Sequence, residues 1–238
     1  MRRFALIALL PLAACSQAAR SNDAAPSGTG STRTFAVDGF SAVDVTGPDD
    51  VDVRVGSGFS IRAEGDPKAL DRLEIVRDGD SLKIGRKERS GFSWGSDRGV
   101  KIYVTMPRMT AANATGSGDM TIDHVDGDSF AADATGSGTL SVATLNVQKA
   151  TLSVTGSGDL KTGGSAGTGS FSIAGSGDID ATNLKLSSAT VSVMGSGSVT
   201  AQVGGPAKVE VMGSGDVTLT GGAKCTTTKM GSGDINCS

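Results

Sequence analysis

The sequence predicts an all-β fold, a parallel β-helix (β-solenoid) with coils of about twenty residues. Three observations predict it. The tripeptide Gly-Ser-Gly recurs seven times, starting at Gly116, Gly136, Gly156, Gly175, Gly195, Gly213 and Gly231, in steps of 20, 20, 19, 20, 18 and 18 residues. A period held that long marks a repeat architecture. Apolar residues alternate with polar ones on both sides of each tripeptide. Four residues after the first glycine stand Met120, Leu140, Leu160, Ile179, Val199, Val217 and Ile235, and two before it Ala114, Ala134, Val154, Ile173, Val193, Val211 and Lys229. Period two is the mark of strands with one buried face. Finally, one repeat is too small to fold alone. Ordering its backbone costs roughly 1–2 kcal/mol per residue, whereas four buried side chains return roughly 1.5–3 kcal/mol each. Each coil must therefore stack on its neighbours. A repeat reads as strand, Gly-Ser-Gly corner, strand and a looser return.

The corner chemistry follows from the residues. Glycine reaches positive φ without a Cβ penalty and turns the strand. The residue after the corner is Asp119, Asp159, Asp178, Asp216 or Asp234 in five repeats, and Thr139 or Ser198 in the other two. A short oxygen-bearing side chain there is expected to accept from a nearby backbone N–H.

In chain order, Met1 to Ala14 reads as an export signal. Arg2 and Arg3 precede a short apolar run, Phe4 to Leu12, too short to span a bilayer. The run ends in Leu12-Ala13-Ala14-Cys15, which resembles the lipobox of bacterial lipoproteins. That resemblance implies cleavage before Cys15, diacylation of its sulfur and acylation of the new amine. Ser16, rather than Asp, then implies the outer membrane. An ordinary signal peptide with a chance cysteine is the competing reading. Loss of the two arginines leaves 20 basic and 25 acidic residues, a net charge near −5. An acidic exported chain argues against nucleic-acid partners.

Residues 15–34, rich in Ala, Ser, Gly and Pro without periodicity, read as a flexible tether. The folded region, 35–238, is expected to open at Phe35, with a divergent part over 35–107 and regular repeats over 108–238. Val43, Val45, Val51 and Val53 flank Gly47-Pro48-Asp49 at the offsets of the later repeats, so this is a divergent first coil. Gly56-Ser57-Gly58 reads as a hairpin-like turn between Val51–Val55 and Phe59–Ala63. Asp66-Pro67 caps a short helix that reaches Leu73, with Leu70 and Leu73 on one face. Strands are expected at Leu73–Val76 and Leu82–Ile84, about the turn Asp78-Gly79-Asp80, and at Val100–Thr105. In the last repeat Thr227 and Lys229 replace apolar residues, as befits a terminal coil with a blunted edge.

Taken together, the acylated tether, the Phe-x-Val-x-Gly-Phe-x-x-Val-x-Val unit from Phe35 to Val45, the strand ending in Met106-Pro107 and the Gly-Ser-Gly-Asp corners resemble one family. It is the bacterial "putative auto-transporter adhesin, head GIN domain" family. The resemblance covers roughly residues 35–238. It implies a β-helical, exported protein and brings no catalytic residues with it.

Candidate chemistry is sparse. The aspartate ladder invites a cation such as calcium, but two coils lack the carboxylate and the period is about twenty; a turn-capping role is preferred. His124 is the single histidine, which argues against a Ser/His/Asp triad or a histidine metal cluster. Paired carboxylates sit on corners rather than across a groove, which argues against a glycoside hydrolase. No cofactor is expected. Cys225 and Cys237 lie six residues before and after Gly231, so both face inward in the terminal coil. Export to an oxidising compartment predicts a disulfide between them. Arg86, Lys87, Arg89 and Arg98 surround Phe92 and Trp94, the candidate interaction loop; a solvated loop with Trp94 folded back on the coil is the competing reading. The expected function is a lipid-anchored, non-enzymatic envelope binding or adhesion module, with the membrane and a glycan or envelope protein as partners. The alternatives are a self-associating envelope scaffold and a polysaccharide-acting enzyme.

Overall fold

The computed structural model describes residues 24–87 and 99–238. The strands among them form a single sheet, wound into a solenoid. The N-terminal part comprises β1 (Thr32–Phe35), β2 (Ala42–Gly47), β3 (Asp50–Val55), β4 (Ser60–Glu64), the helical turn α1 (Pro67–Leu70), β5 (Leu73–Asp78), β6 (Ser81–Arg86) and β7 (Lys101–Met106). The repeats then run through β8 (Ala111–Gly116), β9 (Met120–Gly136), β10 (Thr139–Gly156), β11 (Asp159–Gly175), β12 (Ile179–Gly195), β13 (Val199–Val203), β14 (Pro206–Gly213), β15 (Val217–Thr220), β16 (Lys224–Gly231) and β17 (Ile235–Cys237).

Stacking is parallel and in register from coil to coil. Gly47 pairs with Gly116, and the column continues through Gly136, Gly156, Gly175, Gly195, Gly213 and Gly231. At about 4.8 Å per coil, these stacked corners make a rod roughly 34 Å long. Inside it, Val51, Met120, Leu140, Leu160, Ile179, Val199 and Val217 form one column. All of them are 0–2% exposed. Phe130, Phe171 and the buried valines, leucines and isoleucines of the other columns complete a dry core.

The return segment is tighter than the sequence suggests. In β9 to β12 the ladder runs on through it, and Val125, Leu145, Val147, Leu184 and Leu186 add further inward side chains. Register shifts between Val142 and Leu145, and between Ala181 and Lys185, mark where the wall bends. The second shift also explains the shortening period. Ala181 pairs with Ala201 but Lys185 pairs with Gln202, so Thr182, Asn183 and Leu184 have no counterparts in the next coil.

The first part departs from expectation in three places. Gly56-Ser57-Gly58 does not close a hairpin: β7 lies between β3 and β4, parallel to one and antiparallel to the other. A pairing partner some fifty residues away leaves no local trace in the sequence. Asp66 does cap α1, its carboxylate accepting from the Lys68 N–H at 2.9 Å, but the helix ends at Leu70 and Leu73 opens β5. The fold also begins before Phe35. β1 starts at Thr32 and pairs with β4, and the Ala24 N–H donates to the Ile75 carbonyl at 3.1 Å. β5 and β6 do form an antiparallel hairpin, its turn carried by Gly79 at φ +60°. These elements close one end of the rod, and the exposed β16 closes the other.

Candidate functional site

Each corner is built by two glycines with different duties. The first has positive φ, from 112° at Gly156 to 139° at Gly175. Its carbonyl accepts from the next coil's serine and glycine N–H groups, as Gly136 does from Ser157 at 2.8 Å and Gly158 at 2.9 Å. The third residue must be glycine for lack of room. A Cβ at Gly177 would lie 1.9 Å from the Gly158 carbonyl oxygen, and one at Gly197 2.0 Å from that of Gly177. In the first coil that position is Asp49, which is buried.

The corner carboxylates cap the next coil rather than their own. Asp50 accepts from the Asp119 N–H at 3.0 Å, Asp119 from Thr139 at 2.8 Å, Asp178 from Ser198 at 2.7 Å and Asp216 from Asp234 at 2.8 Å. Asp159 accepts more distantly from Asp178, at 3.3 Å. This is the capping role expected, directed along the rod axis. Among the described residues no three His, Cys, Asp or Glu side chains converge on a metal position. Asp180, on the wall, is held below the usual carboxylate range, chiefly by the Thr182 hydroxyl at 2.7 Å and the Thr182 N–H at 3.1 Å.

The side of the rod that leads into the corners is flat and rich in hydroxyls. Outward columns of Thr151, Ser170 and Thr190, of Ser153, Ser172 and Ser192, and of Thr115, Thr135 and Thr155 run side by side. Their spacing is about 4.8 Å along the axis and about 7 Å along each strand. At the edge of this face lies a groove of about 450 Å³. Thr168, Ser188, Thr190 and Thr226 line it with hydroxyls, and Lys208 and Lys224 bring two ammonium groups to it. Lys208 also meets Glu210 at 2.7 Å. A smaller polar groove of about 240 Å³ lies on the first coils, where Arg62 stacks over Tyr103 with its guanidinium carbon 4.6 Å from the ring centre.

Cys225 and Cys237 form the expected disulfide, which ties β16 to β17 in the last coil. Cys15, Phe92 and Trp94 lie outside the described residues. Of the basic residues beside Phe92 and Trp94, Arg86 is committed to Asp49 beneath the first corner. His124 stands half-exposed with Nδ1 3.1 Å from Asp123. Two features were not anticipated. The Lys208–Lys224 groove joins residues sixteen apart that share a wall only once the coil length is known. Met194, Met212 and Met230 are exposed at 46%, 48% and 65%; a search for inward positions passes over them, although all three immediately precede a corner.

The fold and its corners define a class: a glycine-cornered β-solenoid. The sequence from 39 to 223 matches the model of the family described as "putative auto-transporter adhesin, head GIN domain". The chain belongs to that family. Solved structures share the fold at low identity. A protein from Bacteroides fragilis described as a putative adhesin is 21% identical, with a TM-score of 0.80 over 87% of this chain and 96% of its own. One from Parabacteroides distasonis, described as a putative lipid binding protein, is 21% identical with a TM-score of 0.69 over the same shares. A putative adhesin from Parabacteroides merdae is 18% identical, with a TM-score of 0.65 over 87% and 95%. No curated protein matches the chain.

Proposed function

We propose that this protein is a lipid-anchored, non-enzymatic binding module of the cell envelope that holds acidic glycans along its hydroxyl face. The observation that carries the reading is the Lys208–Lys224 groove at the edge of that face. Evenly spaced hydroxyls both donate to and accept from sugar hydroxyls. Two ammonium groups add attraction for the carboxylate or sulfate of an acidic sugar. Family membership supports an adhesion-type role, and the lipobox supports acylation at Cys15 and an outer-membrane address. Cys15 lies nine residues before Ala24, a reach of at most roughly 30 Å. Ala24 and β1 belong to the closed N-terminal end. The tether would therefore hold that end near the lipid and point the groove, on the last coils, away from it.

The full chain should bind acidic glycans on an array and release no reducing or unsaturated ends from them. Lys208→Ala with Lys224→Ala should weaken binding about tenfold and steepen no other loss. Turnover of a glycan would overturn the non-enzymatic reading. Binding that ignores both lysines, or an array with no acidic ligand, would overturn the glycan assignment. Failure of Cys15→Ala to abolish palmitate labelling would remove the anchor.

A further inference from the structure

We propose that Met194, Met212 and Met230 form a surface site for a soft monovalent metal ion, Cu(I) or its analogue Ag(I). The three residues occupy one register on successive coils: Met194 pairs with Met212, and Met212 with Met230. Earlier coils hold Ala174, Thr155, Thr135 and Thr115 in that register. They are the exposed large hydrophobic residues among those described. The contrast with the other described methionines is sharp. Met106, Met109 and Met120 are 0–2% exposed and fill the core, where a pliable thioether is useful. The exposed trio stands on the outer wall with about half or more of each residue open to solvent, so core packing does not account for it.

Thioether sulfur is a neutral, soft donor that selects Cu(I) over zinc, calcium or magnesium. The stacking of the coils sets the outer two Cα atoms roughly 10 Å apart, with the third midway. Each sulfur is carried on three rotatable bonds. A lean of roughly 2–3 Å by the outer two brings all three sulfurs around one ion. The surroundings admit a cation. Ser192, Glu210 and Thr228 stand two residues earlier on the same outward face. Lys229 takes the register of inward residues, across the strand from Met230. The ion keeps its oxidation state, so no electron donor or acceptor enters.

The test is anaerobic Cu(I) titration of the full chain against a chromophoric chelator. Cys15→Ser removes the competing sulfur of Cys15 and the disulfide is left intact. One Cu(I) per chain is expected, with affinity lowered about ten- to hundredfold by Met212→Leu. Leucine keeps the apolar bulk and loses only the sulfur, so a merely hydrophobic patch would not respond. As a second readout, Ag(I) should slow peroxide oxidation of Met194, Met212 and Met230, followed by peptide mass spectrometry. Failure to compete for Cu(I), affinity unchanged in the triple leucine variant, or silver that leaves oxidation unaltered would each overturn the site.

Discussion

Asp49 and Arg86 form a buried ion pair directly beneath the first corner, with side chains 1% and 8% exposed. Arg86 Nε donates to Asp49 Oδ2 at 2.8 Å, and Nη2 donates to Oδ1. Oδ1 also accepts from the Val100 N–H at 2.8 Å. One carboxylate thus holds the end of β6 and the approach to β7, on either side of residues 88–98. Every later corner has glycine at this position because another corner lies beneath it. The first has strand-end backbone there instead, and a side chain can fill the space.

Removing one partner of this pair should be costly. Asp49→Ala leaves a buried guanidinium without its carboxylate, and a loss of about 3–5 kcal/mol is expected. Asp49→Val with Arg86→Met should recover a large part of it. Urea denaturation of the two variants checks this; equal stability would show that the pair is not the organising contact.

The corner glycines make a sharper forecast. Gly177→Ala places a methyl 1.9 Å from the Gly158 carbonyl oxygen and 2.8 Å from Val154 Cγ1. Backbone cannot yield there without parting two coils, so the loss should reach or pass the upper end of the usual overpacking range, about 3 kcal/mol. The neighbouring Ser176→Ala, on an exposed side chain, should change stability by less than about 0.5 kcal/mol. Thermal melts of the two will separate steric exclusion from turn propensity.

Asp178→Ala removes the acceptor for the Ser198 N–H and should cost about 1 kcal/mol, while Asp178→Asn keeps an acceptor and most of the stability. If the column instead held calcium, millimolar calcium would raise the melting temperature of the parent and not of the alanine variant. No calcium dependence is expected in either.

Reduction of Cys225–Cys237, or its replacement by two alanines, should loosen the last coil alone. The bond closes a loop with a sequence separation of 12, for which about 2–3 kcal/mol is expected. Solenoid stability is a sum of neighbour terms, so amide exchange should quicken over 224–238 and stay unchanged around Val154 and Ile173. Uniform acceleration would instead mean that the rod unfolds as one unit.

Much of this architecture was legible because it is local and repeated. The columns through Leu160, Ile179, Val199 and Val217 follow from period two and a constant coil length. Asp178 reads as a cap for the same reason, although only stacking reveals that it caps Ser198 rather than its own turn. What escaped was non-local or outward. The insertion of β7 between β3 and β4 is set by pairing across distant residues. Leu145 and Leu184 lie where the period slips at a bend, so alternation counted from the glycines loses them. The third glycine reads as a residue that turns the strand but answers to a carbonyl one coil below. Met194, Met212 and Met230 stood in plain view at one offset, yet exposure rather than spacing sets them apart.

The unbroken glycine column has a consequence for descent. Since Gly136 and Gly156 occupy equivalent positions on adjacent turns, duplicating residues 136–155 adds a whole floor without disturbing those above or below. Deleting them removes one as cleanly. The length of the rod would then be inherited in discrete increments of about 4.8 Å, and lineages could lengthen or shorten the molecule by unequal recombination while its two specialised ends stay as they are.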